Sequence, residues 1–201
     1  MAEPLSPSQD RRVVLGSTSP YRRELLSRLR LSFEVAAPAV DETPLPREAP
    51  REIALRLALA KARAVAAQHP GAVVIGSDQV ADLAGEPLGK PGTHANAVLQ
   101  LRRMSGQMVV FHTAVAVVCA EAGFERLELA PVKVQFRTLT DDEIERYLRA
   151  EQPYDCAGSA RSEGLGVALL DAIDSDDPTA LVGLPLIRTC RMLRAAGVKV
   201  L

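Results

Sequence analysis

The stretch VVLGSTSPYRRELL, residues 13–26, contains the unit on which the fold depends, a strand that leads through a turn into a helix. Ser19 suits the N-cap of that helix and Pro20 its first position. Arg22 and Arg23 then lie in the first turn, where the helix dipole favours anions by about 0.3–1 kcal/mol. A helix start with free N–H groups, hydroxyls and two arginines is a candidate polyphosphate site. The alternative is that both arginines point into solvent, where the penalty is small.

Outward from this stretch, strand-like and helix-like segments alternate, which predicts an α/β domain with a mixed sheet. Predicted strands cover residues 12–15, 32–40, 72–75, 108–120, 127–139 and 167–170, and predicted helices cover 20–29, 51–68 and 93–104, with further helices after Thr140 and Pro185. The strand from residue 72 is expected to end at Gly76-Ser77-Asp78, before a hairpin at Ala84-Gly85. One domain spans residues 12–201, and residues 1–11 are expected to form a disordered tail.

The composition restricts the class of partner. The chain has 201 residues, a net charge of -1 and 47% hydrophobic residues, which is typical of a soluble globular protein. This charge balance, with only 3% aromatic residues, argues against a nucleic-acid or membrane partner. No apolar run is long enough for a membrane span and no signal-peptide core is present, so we expect a cytoplasmic protein. The three cysteines and three histidines are dispersed without metal-ligand spacing.

Polar residues cluster where predicted strands end, which is where ligands bind in open α/β sheets. These residues are Ser17 and Thr18 after the first strand, Asp41 and Glu42 after the second, and Ser77, Asp78 and Gln79 after the third. Two lysines add positive charge: Lys61 falls at the edge of a buried helix face, and Lys90 lies between Gly89 and Pro91. For Lys61 the alternative is an ordinary lysine that snorkels to the surface.

The two acidic positions offer metal or general-base chemistry. Glu42 and Asp78 could hold a divalent cation through oxygen ligands, or one of them could activate water as a general base. The alternative for both is a side chain that stabilises a turn. A Walker phosphate loop is absent. Together the cations and acids predict a metal-assisted hydrolase of phosphoanhydride bonds.

Six stretches, in order along the chain, resemble the motifs of the Maf family of nucleotide pyrophosphatases. They are STSPYRRELL, VDET, LALAKARAVA, IGSDQV, LGKP and YDCAGSARSEGLG. The resemblance implies an inosine-triphosphatase-like fold, an elongated mixed β-sheet flanked by helices with a cleft between two lobes. It also implies hydrolysis of a nucleoside triphosphate to the monophosphate and pyrophosphate, a divalent metal such as Mg²⁺ or Mn²⁺, and a homodimer.

The resemblance also implies roles for individual residues. Asp78 matches the catalytic aspartate of the family, which acts as proton acceptor. The polar active-site set of the family corresponds here to Ser17, Arg22, Glu42, Lys61 and Lys90.

Three positions depart from the commonest Maf pattern, in which Arg, Thr and Gln are typical of enzymes acting on dTTP and UTP. Here they are Tyr21, Gln79 and Glu163, a combination similar to the branch that hydrolyses 7-methyl-GTP. N7-methylated guanine is positively charged, so an aromatic face and a carboxylate would both attract it. Gln79 could offer a donor and an acceptor. The alternatives are a partly buried helix residue for Tyr21 and a solvated loop acid for Glu163.

Two other functions stay open at this point. One keeps the chemistry and changes the base, as in a dTTP/UTP or broad house-cleaning pyrophosphatase. The other is a nucleotide-binding regulator of septum formation with little catalysis. The roles of Asp155 and Cys156, which either line the cleft or border it, also stay open.

Overall fold

The computed structural model describes residues 11–201. The predicted disordered tail therefore lies outside the described residues except for Arg11, and it stays a prediction. Within the described part of the chain, no helix is long and apolar enough to cross a membrane.

A seven-stranded mixed sheet forms the centre of the fold, as the alternation of segments predicted. Its strands are β1 (Val13–Gly16), β2 (Phe33–Ala36), β3 (Val73–Leu83), β4 (Glu86–Leu88), β5 (Met108–Cys119), β6 (Phe124–Phe136) and β7 (Leu170–Asp174). The strand order is β2-β1-β3-β5-β6-β7, with β4 paired to β3. β1 runs parallel to β2 and β3, whereas β3, β5, β6 and β7 pair antiparallel in sequence.

Helices flank this sheet. They are α1 (Pro20–Ser27), α2 (Pro50–Ala66), α3 (His94–Met104), α4 (Asp141–Glu151) and α5 (Leu186–Ala195), and short 3-10 turns cover Ala157–Ser159, Leu165–Leu169 and Ala180–Val182. The predicted N-caps Ser19, Thr93 and Thr140 all accept a hydrogen bond from the first turn of their helices.

The predicted end of the third strand at Gly76-Ser77-Asp78 is wrong. β1 stops where Gly16 pairs with Gly76, but β5 continues to pair with β3 from Val74 to Asp82. Because this antiparallel partner supplies backbone hydrogen bonds, the residues that resemble a turn in sequence remain strand. Ser77 and Asp78 therefore lie within a long central strand, just past the end of its short parallel neighbour.

The predicted strand at residues 167–170 is also wrong. Residues Leu165–Leu169 form a 3-10 turn, and the strand begins only at Leu170, which pairs with Phe136 of β6. The turn is possible because Gly166 allows a close approach of the Arg161 backbone that a Cβ would block. The hairpin predicted at Ala84-Gly85 is confirmed by the β3–β4 pairing.

The long strands carry separate hydrophobic clusters along their length. One part of the sheet is formed by β1, the start of β3 and the end of β5. α2 packs on one face of this part, and α1 and α5 pack on the other face. α3 and α4 pack on the part formed by the end of β3, the start of β5 and the end of β6, with Phe111 and Phe136 in that core. The packing of α2 is very close, since a Cβ on Gly76 would lie 2.4 Å from the Ala58 carbonyl oxygen and 2.5 Å from the Ala62 amide nitrogen. This close approach brings Lys61 of α2 against β3.

Candidate active site

The two arginines at the start of α1 have different environments. Arg22 turns inward, where its Nη1 donates to Ser17 Oγ at 3.3 Å and its Nε donates to the Gly183 carbonyl at 2.9 Å. Arg23 is exposed. Burial lowers the pKa of Arg22, while the nearby carboxylates of Asp78 and Glu42 act in the opposite direction. The two arginines at the helix start are thus one partly buried cation that faces a cleft and one exposed cation.

Lys61 is a buried cation that contacts two carboxylates. Its Nζ lies 2.7 Å from Asp78 Oδ1 and 2.9 Å from Glu42 Oε1. Lys61 is only 5% exposed, so it is not a lysine that snorkels to solvent. A helix, a strand and a loop each contribute one member, which explains why the cluster is not visible as a contiguous motif.

The Asp78 carboxyl group is 6% exposed, and this burial raises its pKa. Lys61 and Arg22 oppose that shift by stabilising the carboxylate, and Glu42 adds to it. A buried carboxyl with a raised pKa and an ion-pair partner in a cleft has the properties of a general base.

The residues present fit a divalent metal in their donor chemistry. The carboxylates of Glu42 and Asp78 both contact the Lys61 ammonium, so they lie near each other, and the Glu42 side chain is 59% exposed to the cleft. Two carboxylates completed by substrate phosphates and water are a usual Mg²⁺ environment. In residues 11–201 no group of three or more His, Cys, Asp or Glu side chains could hold a metal without such help. The neighbouring Asp41 instead stabilises a turn, because its Oδ1 accepts from Thr43 N at 2.9 Å.

Gln79 has a fixed orientation. Its amide nitrogen lies 2.9 Å from Thr113 Oγ1 and 3.0 Å from each of the Ala180 and Leu181 carbonyl oxygens. The Gln79 NH₂ group therefore donates its hydrogen bonds within the protein, and the side-chain carbonyl oxygen is the group that remains available to a ligand. The expectation that Gln79 offers both a donor and an acceptor holds only for the acceptor.

Tyr21 contacts residues from the other side of the cleft. Its hydroxyl lies 3.4 Å from both carboxylate oxygens of Asp155 and 3.8 Å from Cys156 Sγ. Burial raises the pKa of Tyr21, Cys156 and Asp155 raise it further, and Arg161 acts in the opposite direction. Burial also raises the pKa of the Cys156 thiol to about 11, so this thiol is protonated and unreactive near neutral pH.

Ten of the candidate site residues line one cavity of about 690 Å³, a size common for small-molecule sites, whereas Arg23, Asp41 and Ser77 do not line it. The ten are Ser17, Thr18, Tyr21, Arg22, Glu42, Lys61, Asp78, Gln79, Lys90 and Glu163. Asp155 and Cys156 also line it, which answers where they lie. Sequence reasoning missed two groups: the Gly183 carbonyl, which orients Arg22, and the side chain of Arg161.

Comparison with known proteins identifies relatives of this chain. The family model for the Maf-like protein matches residues 12–196. A 7-methyl-GTP pyrophosphatase of Polaromonas sp. strain JS666 is 74% identical over 98% of this chain and 90% of that protein. A 7-methyl-GTP pyrophosphatase of Albidiferax ferrireducens is 68% identical over 100% of this chain and 99% of that protein.

A solved HAM1 protein from Coxiella burnetii aligns with a TM-score of 0.45 and 17% identity, covering 63% of this chain and 73% of that one. This likeness is too weak to support any conclusion about function. The match to the family model, which covers nearly all of the described residues, is what confirms the resemblance of the six motifs. The chain belongs to the Maf-like protein family.

Proposed function

We propose that the chain is a nucleoside triphosphate pyrophosphatase that hydrolyses 7-methyl-GTP to 7-methyl-GMP and pyrophosphate. The observation that carries this proposal is the buried Asp78–Lys61 pair with Glu42 at its exposed side, in which Lys61 Nζ lies 2.7 Å from Asp78 and 2.9 Å from Glu42. The names of the relatives at 68–74% identity support the choice of substrate.

Three cations would bind the triphosphate. Arg22, Lys61 and Lys90 line the same cleft, together with the Ser17 and Thr18 hydroxyls at the start of α1. Triphosphate charge placed there would offset the cost of holding Arg22 at the positive end of a helix. Lys90 is exposed, so it can move toward a bound phosphate, whereas Arg22 is already held by Ser17 and Gly183.

Asp78 would accept the proton of the attacking water. The water oxygen forms a bond to the α-phosphorus, the bond from that phosphorus to the bridging oxygen of the β-phosphate breaks, and pyrophosphate leaves. Lys61 holds the Asp78 carboxylate in place and, with Arg22, stabilises negative charge on the phosphates. Glu42 and Asp78 are the residues that would hold a divalent metal, which supplies further positive charge to the phosphates when bound.

The base would lie against Tyr21, Gln79 and Glu163. A positively charged 7-methylguanine gains a cation–π contact from the Tyr21 ring and an opposite charge from Glu163. The Glu163 carboxylate can also accept from the N1–H and exocyclic amine of guanine, and the Gln79 carbonyl oxygen can accept one hydrogen bond.

The test is product analysis in ¹⁸O-labelled water with 7-methyl-GTP and either Mg²⁺ or Mn²⁺. We expect pyrophosphate to be released and the label to appear in 7-methyl-GMP, because water attacks the α-phosphorus. Label in inorganic phosphate or pyrophosphate would contradict the mechanism. Tight nucleotide binding without any product, with either metal, would instead favour a regulator that lacks catalysis.

Two further properties stay predictions, the first implied by the family resemblance and the second by the hydropathy of the sequence. We expect a homodimer, which sedimentation of the purified chain would test, and a cytoplasmic location, which fractionation of the source cells would test.

A further inference from the structure

Arg161 connects the two sides of the base pocket. Its Cζ lies 5.4 Å from the centroid of the Tyr21 ring, within cation–π range, and its Nε donates to Glu163 Oε1 at 3.3 Å. Its Nη1 donates to Glu151 Oε1 at 3.0 Å. One guanidinium group thus contacts an aromatic residue on α1, an acid on the loop after α4, and an acid at the end of α4.

The loop that carries Glu163 is built around this arginine. The backbone N–H of Arg161 donates to the Tyr147 hydroxyl at 3.0 Å, and Glu151 Oε2 accepts from Leu165 N at 3.0 Å. A Cβ on Gly166 would lie 2.4 Å from the Arg161 carbonyl oxygen, and one on Gly164 would lie 2.5 Å from Glu151 Oε1. Gly166 is therefore required for the loop to close on the Arg161 backbone, whereas a side chain at position 164 would displace the Glu151 carboxylate.

The contacts of Arg161 separate it from the reacting groups. Lys61 contacts both Asp78 and Glu42, and no ion pair or hydrogen bond in residues 11–201 joins any of the three to Arg161. Arg161 does not line the cavity, although Tyr21 and Glu163 both do. Arg161 therefore contacts the cavity lining through those two side chains.

We propose that Arg161 is a positioning residue for base recognition, which holds the Tyr21 ring and the Glu163 carboxylate in the geometry that selects the base. The identity of the base as 7-methylguanine rests on the function proposed above. A planar guanidinium suits this task because its fork can bind two carboxylates while its face or edge packs on a ring. Removing it frees Glu163 to rotate and leaves the Tyr21 ring without a neighbour on that side.

The test compares Arg161→Ala with Arg149→Ala, a control in which an exposed arginine of α4 loses its ion pair with Glu145. With Arg161→Ala we expect KM for 7-methyl-GTP to rise about tenfold, the size of one lost charged hydrogen bond, while kcat stays within about twofold. The kcat/KM preference for 7-methyl-GTP over GTP should fall. Arg161→Lys should recover part of the loss, because it keeps the charge but not the fork.

A double-mutant cycle with Glu163→Gln identifies the route of the effect. If Arg161 acts through Glu163, Arg161→Ala should change KM much less in the Glu163→Gln background than in the wild type. If the two substitutions change KM independently, so that their fold-changes simply multiply, the assignment is overturned. An equal loss of kcat/KM on 7-methyl-GTP, GTP and UTP would overturn it as well. If Arg161→Ala does not fold, the same cycle is run with Arg161→Gln.

A binding measurement separates this inference from the proposed function. Calorimetric titration with 7-methyl-GMP and GMP requires no turnover, so it remains informative even if no pyrophosphate is released. Weaker binding of 7-methyl-GMP by Arg161→Ala, with Arg149→Ala unchanged, supports the role of Arg161. Equal affinities in wild type and Arg161→Ala overturn it, whereas absent pyrophosphate release overturns only the proposed function.

Discussion

At the scale of single residues, Asp78 experiences opposing influences: burial raises its pKa, and the adjacent Lys61 and Arg22 lower it. Burial is the largest of these, so the carboxyl binds its proton more tightly than an ordinary aspartate does. Lys61 holds the carboxylate in one orientation at 2.7 Å. The residue therefore combines basicity with a fixed position, which general-base catalysis requires.

Asp78→Asn should lower kcat by about 10²–10⁴-fold, because the amide keeps the shape of the side chain but cannot accept the proton. The matched control is Asp82→Asn on the same strand, where the carboxylate pairs with His112 at 3.1 Å. Steady-state pyrophosphate release measures both variants. A kcat for Asp78→Asn near that of the wild type would contradict the role of Asp78.

The raised pKa of Asp78 predicts two opposite pH effects. Activity needs the carboxylate, so kcat/KM should fall as the pH drops through a pKa above the ordinary value of 3.8. The free energy of unfolding changes in the opposite direction. The folded state binds the Asp78 proton more tightly than the unfolded state does, so protonation stabilises the fold. This stabilisation is complete below pH 3.8 and is lost as the pH rises through the raised pKa. Asp78→Asn removes this dependence.

Denaturant unfolding of wild type and Asp78→Asn across the acidic range measures the stability effect. The variant should gain stability relative to the wild type as the pH rises. A difference between the two that does not vary with pH would show that the pKa of Asp78 is the same in the folded and unfolded states.

At the scale of elements, the contact between α2 and β3 sets the site. A Cβ at position 76 would overlap the Ala58 carbonyl and the Ala62 amide, so Gly76→Ala must push α2 away from β3. We expect a loss of about 1–3 kcal/mol in the free energy of unfolding, together with lower kcat as Lys61 moves from Asp78. Gly89→Ala is the control, since nothing lies within 4 Å of a Cβ there. Equal stability of the two variants would contradict this account.

The capping box of α4 gives a second test on elements. Thr140 Oγ1 accepts from Glu143 N, and Glu143 Oε2 accepts from Thr140 N at 2.8 Å. Hydrogen bonds from the Thr140 backbone N–H and hydroxyl, with a further one from Arg137, lower the pKa of Glu143 to about 2, so the stability that they contribute is present above 4.5 and is lost as the pH falls toward 2. Thr140→Ala should cost about 1 kcal/mol in denaturant unfolding at neutral pH. Thr138→Ala, an exposed loop change, should cost little, and equal losses would contradict the capping role.

The helix caps and the end of β3 show which features of the elements can be predicted from the sequence. The caps at Ser19, Thr93 and Thr140 are local chemistry, and each is found as predicted. The end of the strand at Ser77-Asp78 was wrong because pairing with β5, a distant segment, decides it. Local residue preferences cannot report a partner that lies far along the chain.

At the scale of the whole molecule, the members of the site come from α1, α2, β3 and the loops between other elements. Arg22, Glu42 and Asp78 could be found from sequence because they oppose a helix dipole or follow predicted strands, whereas Glu163 was found only through the resemblance to a family. The Gly183 carbonyl could not, since a backbone acceptor has no sequence signature. Arg161 could not either, because its partners Tyr21 and Glu151 become neighbours only in the folded chain.

The most direct test of the central claim is a comparison of kcat/KM for 7-methyl-GTP, GTP, dTTP and UTP, with the wild type and a variant that carries Tyr21→Arg, Gln79→Thr and Glu163→Gln together. We predict that the wild type prefers 7-methyl-GTP and that the triple variant loses this preference while its pyrophosphate-releasing chemistry persists. A wild type that prefers dTTP or UTP would contradict the proposed base pocket and leave the Asp78 chemistry in place.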